Sequence, residues 1–353
     1  MRLTIRTVSA AAITAGSVVL AAMVHIAAQS APAAQSAAAP LPPPAPGYTQ
    51  VLPWGPVPHD PAPIRDYVVW NKDIFWEMGR VAVNTKGDRL YAFRRSDPPI
   101  LQIDPTTGKI LKEFGSGMFV WPHGMYVDKD NNLWVTDATV SNTDPNLAKQ
   151  LKPAVAAGYG HQVFKFSPEG KLLLTLGTKG MAGESPTLFN APADVIVAKN
   201  GDIFVADGHV GTRIAKFDKT GKFLKSWGTK GNGPGQFIQP HGLALDSQGR
   251  LFVGDRGGNG GRVAIFDQDG RYITEYKQFG NPSGVAITPD DTMYVTDQGK
   301  KIVTVGNARD GAVYGIIPDI WAEGVSVDRN HTVYAGEVFR RHMKKFTFTK
   351  PGH

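Results

Sequence analysis

Pro240-His241-Gly242-Leu243-Ala244-Leu245-Asp246-Ser247-Gln248-Gly249-Arg250-Leu251-Phe252-Val253-Gly254-Asp255-Arg256 is the stretch from which the fold is read. A Pro-His-Gly turn opens a short apolar strand, Leu243–Asp246. The polar turn Ser247–Arg250 reverses the chain into a second apolar strand, Leu251–Asp255. Arg262–Phe266 reads as a third strand, and Asp269-Gly270 turns into a fourth, Arg271–Tyr276. Runs this short, separated by Gly/Asp/Ser turns, are strand signals rather than helix signals.

Working outward, the same phrase recurs. It runs from Val81 to Gly115, Pro122 to Gly177, Pro192 to Gly228, Pro282 to Pro318 and Glu323 to Phe348. The spacing is roughly 40–50 residues, the period of a four-stranded propeller blade. One longer interval, His123 to Ala193, carries an insertion, Thr139–Gly160. One such unit cannot bury both faces, and six of them close a ring with only short edges. The expectation is therefore an all-β, six-bladed β-propeller of NHL-type repeats over residues 65–349. A two-sheet sandwich would not explain the fixed period. The last unit lacks a fourth strand, and Tyr67-Val68-Val69-Trp70 is predicted to supply it.

Composition agrees with a strand-and-turn protein: among 353 residues, 40 are Gly and 26 are Pro. The absence of Cys excludes disulfides and Cys-ligated metals, leaving His, Asp, Glu and carbonyl oxygens as ligands. The formal net charge of +7 is scattered without a Lys/Arg run, so nucleic acid is not an expected partner. Residues 1–30 read as a signal peptide: Arg2 and Arg6 precede an uncharged, apolar stretch and small residues. A retained anchor is the other reading of this segment. Residues 31–64 read as an Ala/Pro-rich linker. The expected location is periplasmic or secreted, and a single propeller is expected to be monomeric.

The first strand of each blade lines the central channel, so the turn before it lies at the channel mouth. That position reads Met78, His123, Ala193, His241, Ser283 and Glu323. Blades 2, 4 and 6 thus offer His, His and Glu at threefold spacing, a fit for Zn²⁺ with one open position. A local role for each His in its turn is the plainer alternative. A second ring, after the second-strand Asp, reads Arg95, Ala138, Gly208, Arg256, Gln298 and Val338. Arg95 and Arg256 face each other and suit a carboxylate, unless they pair with Asp97 and Asp255. His209 lies near this mouth as a general base, a fourth ligand or an exposed loop residue. His161 reads as structural. The insertion reads either as a lid or as a surface loop.

At these residues the chain resembles the peptidyl-α-hydroxyglycine α-amidating lyase family. The resemblance extends from about Val81 to Phe348. It is densest at Trp121-Pro122-His123-Gly124, Trp134-Val135-Thr136-Asp137, His161-Gln162-Val163-Phe164-Lys165, Val205-Ala206-Asp207-Gly208, Gly235-Gln236-Phe237, Pro240-His241 and Asp255-Arg256. It implies a channel-mouth zinc bound by three His, a Tyr base, two Arg for the substrate carboxylate, and a structural calcium in the channel. The implied products are a peptide amide and glyoxylate. His123 and His241 match two zinc ligands, and Glu323 stands for the third. Arg256 and Arg95 match the two Arg, and His209 stands where the Tyr would be. Gly324 stands where a calcium-binding Asp would be. The carbonyls of Val81 and Met125 match the other calcium ligands.

Three functions follow as expectations. The first is a zinc lyase acting on a small carboxylated substrate or peptide C-terminus. In it His123, His241 and Glu323 hold the metal, Arg95 and Arg256 the carboxylate, and His209 takes the hydroxyl proton. The second is a non-enzymatic propeller that binds a ligand or protein. The third, a calcium-dependent lactonase, needs several axial carboxylates, and this ring offers only Glu323.

Overall fold

The computed structural model describes residues 40–52, 54, 78–139, 158–257, 260–338, 340 and 342–350. By contacts the chain divides into Met1–Pro40 and Leu41–His353, and the second unit holds the propeller. The leader lies outside the described residues, as does most of the insertion. Among the described residues no helix is long and apolar enough to cross a membrane.

Six four-stranded antiparallel sheets follow one another as blades. Blade 1 runs from Met78–Val83 to Ile110–Phe114, and blade 2 from Pro122–Val127 to Leu172–Leu176. Blades 3 and 4 run from Asp194–Val197 to Phe223–Trp227 and from Pro240–Leu245 to Tyr272–Tyr276. Blade 5 runs from Gly284–Ile287 to Val313–Pro318, and blade 6 begins at Ala322–Val327. The second strands are buried along their whole length, as in Leu251–Asp255 and Ile203–Asp207, except for the first residue of blade 5's, Thr292. They pack between neighbouring blades on both faces, so their residues are apolar without alternation. The fourth strands sit outermost and expose alternate or adjacent side chains, as in Phe223–Trp227.

The apolar core lies between blades. Tyr91, Phe93 and Ile100 of blade 1 meet Met125, Leu133 and Phe164 of blade 2. Phe204 and Ile214 meet Leu251 and Phe266 in the gap between blades 3 and 4. The gap between blades 6 and 1 is filled by Tyr334 and Met343 against Val81 and Leu90. Every gap has such a cluster, so each blade is stabilised by both neighbours and the ring gains from closure.

The ring is closed by a segment other than the expected one. Tyr48–Gln50 pairs antiparallel with His342–Phe348, with Tyr48 opposite Phe348 and Gln50 opposite Phe346. The segment before it also grips blade 5, where Ala45 N–H donates to Ile316 O at 2.7 Å. Tyr48 Oη meets Tyr294 Oη at 2.7 Å and stacks near Phe348. The fourth strand of blade 6 therefore comes from within the Ala/Pro-rich stretch. Tyr67–Trp70 lies outside the described residues, and the place expected for it is taken. Tyr48 brings an aromatic anchor and a hydroxyl partner to a polar stretch, features that apolar-run reading overlooks.

Candidate metal centre at the channel mouth

The repeat itself fixes the mouth. In blades 2–6 the acidic residue ending the second strand accepts backbone N–H groups of the loop entering that blade's first strand. Asp137 accepts from Val120 and Trp121, the latter at 2.6 Å. Asp255 accepts from Ile238 and Gln239 at 2.9 and 2.8 Å. Glu337 accepts from Trp321 at 2.8 Å. These bonds hold the three loops that deliver His123, His241 and Glu323.

A second local device aims the side chains. The first strands of blades 1, 2, 4 and 6 each carry a register irregularity, between Met78/Arg80, Pro122/Met125, Pro240/Gly242 and Ala322/Val325. No such shift interrupts the first-strand pairing of blades 3 and 5. A bulge turns a residue out of the pleat, and here it turns His123, His241 and Glu323 inward. The register also corrects one expectation. Met78 pairs with Arg94 as Pro240 pairs with Asp255, so the blade 1 ring position is Gly79, not Met78.

His123 and His241 are buried, at 2% and 0% exposure. Nδ1 of His123 donates to Ala193 O at 2.6 Å, and Nδ1 of His241 donates to Ser283 O at 2.5 Å. Each therefore presents its Nε2 lone pair to the mouth. His209 Nε2 lies 2.7 Å from His123 Nε2. His209 is placed by Gly208, where a Cβ would stand 1.6 Å from Pro240 O; only glycine lets the blade 3 turn close on blade 4. The three rings lie 4.3, 4.8 and 5.0 Å apart, and one nitrogen from each falls within 4.8 Å of the others.

Glu323 Oε2 is 3.3 Å from His123 Nε2 and 3.4 Å from Arg95 Nη2. The Arg95 guanidinium carbon lies over Trp121, 3.8 Å from the ring centre. Arg256 donates from Nε to Gln239 Oε1 at 2.9 Å, while Asp255 is engaged by Arg262 at 3.3 Å. The competing reading of Arg256 as the partner of Asp255 thus gives way. All six residues singled out in the sequence meet at one mouth. His161 accepts the Ala191 N–H on Nδ1 and supports the neighbouring loop, the structural role expected of it.

The electrostatics suit a cation. Burial, reinforced by Arg256 and His123, holds His241 well below the usual histidine range. Burial, His123 and Arg256 do the same for His209. Burial pushes the Glu323 carboxyl up, but His123 and Arg95 outweigh it and hold the group well below the usual carboxylate range. Two imidazoles held toward the neutral form, a carboxylate and two guanidiniums therefore share the mouth at neutral pH. The fit to a transition metal rests on one atom in particular: His241 Nε2 is buried with no hydrogen-bond partner. An orphaned lone pair in a site whose other ring nitrogen is oriented by a carbonyl is the arrangement of a ligating histidine.

One residue further along each first strand is a ring that escaped the sequence reading: Arg80, Gly124, Asp194, Gly242, Gly284 and Gly324. Arg80 and Asp194, both buried, form an ion pair across the axis. A cavity of about 700 Å³ reaches this pair from the side away from the histidines, lined there by Val83, Val127, Val197 and Leu245.

Comparisons with known proteins agree with the fold and point to a family. A family model described as "6-bladed beta-propeller" matches residues 186–277. The chain is 32% identical over 274 residues to the mouse peptidyl-glycine alpha-amidating monooxygenase, covering 71% of this chain and 26% of that protein. It therefore spans about a quarter of that relative's length. It is 37% identical over 152 residues to a probable peptidyl-alpha-hydroxyglycine alpha-amidating lyase of Caenorhabditis elegans, covering 42% of this chain and 38% of that protein. A gluconolactonase structure from Xanthomonas campestris superposes with a TM-score of 0.56 at 15% identity, over 85% of this chain and all of that one, which shows the fold alone. The chain is thus an NHL-type six-bladed β-propeller whose homologues, at 30–37% identity, include the peptidyl-α-hydroxyglycine α-amidating lyases and NHL repeat proteins.

Proposed function

We propose that this chain is a zinc-dependent lyase of the amidating-lyase type, cleaving a carboxylated α-hydroxy amide such as a peptidyl-α-hydroxyglycine. The observation that carries the reading is the convergence of His123, His209 and His241 on one point, with His241 Nε2 unpartnered. His123, His209 and His241 hold the metal in this reading, and Glu323 stands beside them. That exchanges the roles of His209 and Glu323 expected from repeat phase. The nitrogens within 4.8 Å favour the exchange. The 3.3 Å approach of Glu323 to His123 Nε2 favours the original assignment, and ligand variants decide between them.

Zinc, when bound, supplies Lewis acidity toward the substrate hydroxyl. Arg256 and Arg95 present N–H donors to the carboxylate and orient the substrate in the mouth. Glu323, ionised and adjacent, takes the hydroxyl proton. The hydroxyl oxygen's electron pair forms the C=O of glyoxylate as the C–N bond breaks, the C–N pair passes to the amide nitrogen, and the proton taken by Glu323 is returned to that nitrogen. The products are a primary amide and glyoxylate. Residues 1–30 act as an export signal in this reading, and the propeller works outside the cytoplasm as a monomer. Nucleic acid is not a partner.

The test is glyoxylate release from an N-acyl-α-hydroxyglycine by zinc-loaded full-length protein, with chelator-treated protein as control. Metal-dependent release supports the reading. No release from protein carrying one zinc per chain overturns it in favour of a ligand-binding propeller.

A further inference from the structure

We propose that the Arg80 guanidinium is a built-in axial cation, and that this propeller closes without calcium. In blades 2, 4, 5 and 6 the axial ring position is glycine, in blade 3 it is Asp194, and in blade 1 it is Arg80. One cation and one anion therefore occupy a six-residue ring otherwise stripped of side chains.

The glycines are the space that the guanidinium fills. A Cβ at Gly324 would lie 1.7 Å from Arg80 Nη1, and one at Gly284 2.7 Å from the same atom. A Cβ at Gly124 would lie 2.8 Å from Asp194 Oδ1. The φ angles of these three glycines are ordinary, so it is room and not backbone freedom that they provide. Arg80 is 6% exposed and Asp194 3%, a depth at which an unpaired charge would be strongly unfavourable.

The pair also ties the blades together. Arg80 Nη1 donates to Glu323 O at 3.2 Å in blade 6, and Nη2 bonds Asp194 in blade 3. Asp194 Oδ2 accepts the Leu243 N–H of blade 4 at 3.0 Å. A single ion pair thus joins blades 1, 3, 4 and 6 at the axis. These contacts also touch the mouth from below. The peptide Ala193–Asp194 supplies the carbonyl that orients His123, and the peptide Glu323–Gly324 is the one that Arg80 grips.

The calcium implied by the family resemblance does not fit here. Gly324 offers no carboxylate, the only axial carboxylate is taken by Arg80, and the guanidinium fills the space. A divalent ion would have to sit against a buried positive charge.

The test is thermal unfolding of the full-length chain. Wild-type protein dialysed against chelator and then titrated with CaCl₂ keeps its Tm within about 1 °C. A saturable, calcium-specific rise in Tm overturns the proposal. A rise with Zn²⁺ but not Ca²⁺ reports the histidine cluster and leaves calcium silent at the axis, as proposed. Arg80→Met, which keeps volume and removes charge, lowers Tm on the order of 10 °C, because it leaves Asp194 buried and alone. Adding Asp194→Asn to that variant recovers part of the loss. An Arg80→Met protein as stable as wild type, or a double variant less stable than Arg80→Met, overturns the proposal. If Arg80→Met does not fold, folding of the double variant and the wild-type calcium titration still decide it.

Discussion

His123 and His209 face each other Nε2 to Nε2 at 2.7 Å, while His123 Nδ1–H is committed to the carbonyl of Ala193. In its neutral form His123 offers only a lone pair there, and the proton between the two nitrogens then comes from His209; a bound metal would need both Nε2 lone pairs instead. His209→Ala should then weaken zinc binding by about 100-fold or more, whereas Glu323→Gln should weaken it by less than about 10-fold. Competition against a chromophoric chelator measures both. The reverse ranking would make Glu323 the ligand and His209 the base.

Arg256→Ala should lower kcat/KM for a carboxylated substrate by about 10–100-fold, the worth of hydrogen bonds to a charged group. Arg256→Lys should not restore it, since an ammonium cannot reproduce the planar fork that Gln239 holds in place at 2.9 Å. Steady-state glyoxylate assays with the metal content matched between variants check this. The same variant should leave an amide substrate lacking the carboxylate unaffected.

Ring closure through Tyr48–Gln50 gives a truncation test. Removing residues 1–50 should lower Tm by about 10 °C or more, because it strips the outer strand from blade 6 and the Ala45 anchor from blade 5. Tyr48→Phe alone should cost only about 1 kcal/mol, the loss of one hydroxyl contact to Tyr294. Differential scanning calorimetry separates the two effects.

Asp255→Ala should be among the most damaging single changes outside the mouth. It frees the Ile238 and Gln239 N–H groups and takes one of two carboxylates from the buried Arg262, which keeps Glu275 at 2.6 Å. Leaving buried donors without their acceptor costs about 1–3 kcal/mol. Urea unfolding reads the cost, and looser zinc binding should accompany it, because the same loop carries His241.

Asp319 provides a pH test. Hydrogen bonds from Arg340 and Lys344 lower its carboxyl to about 2. The folded state thus holds the proton less tightly than the unfolded chain, so its contribution is present above the ordinary carboxylate range and is lost as pH falls toward 2. Asp319 is largely exposed, with 64% of its side chain accessible, so the contribution stays under about 1 kcal/mol. Asp319→Asn should be slightly less stable than wild type at pH 6, and the two should converge near pH 2. Denaturant midpoints across that range would show it.

The blades were legible because each repeats the same turn and strand pattern, with an acidic cap in all but the first, and the structure begins and ends the sheets within a few residues of those signals. The mouth was legible for the same reason: repeat phase carries His123, His241 and Glu323 to equivalent places, and Arg95, Arg256 and His209 to the tier beside them. What repeat phase could not show was the exact start of blade 1. Strand pairing sets that blade one residue later than Met78 suggests and brings Arg80 level with Gly242 and Gly324, so the axial ion pair stayed hidden although its glycines stood next to each ring residue in plain sequence. Gln239, which orients Arg256, and Trp121, which supports Arg95, lie in loops whose side-chain directions depend on packing between blades. The closing strand was misplaced because hydrophobicity favoured Tyr67–Trp70, whereas edge pairing needs only a free backbone and one good anchor, which Tyr48 provides.

The most direct test of the central claim is the metal content of the full-length protein, purified without added metal and measured by inductively coupled plasma mass spectrometry beside His241→Ala. The expected result is about one zinc per chain in the wild type and almost none in the variant, because His241 Nε2 has no hydrogen-bond partner among the described residues and is free to ligate. A wild-type protein that carries no transition metal, even after zinc loading and desalting, would contradict the account.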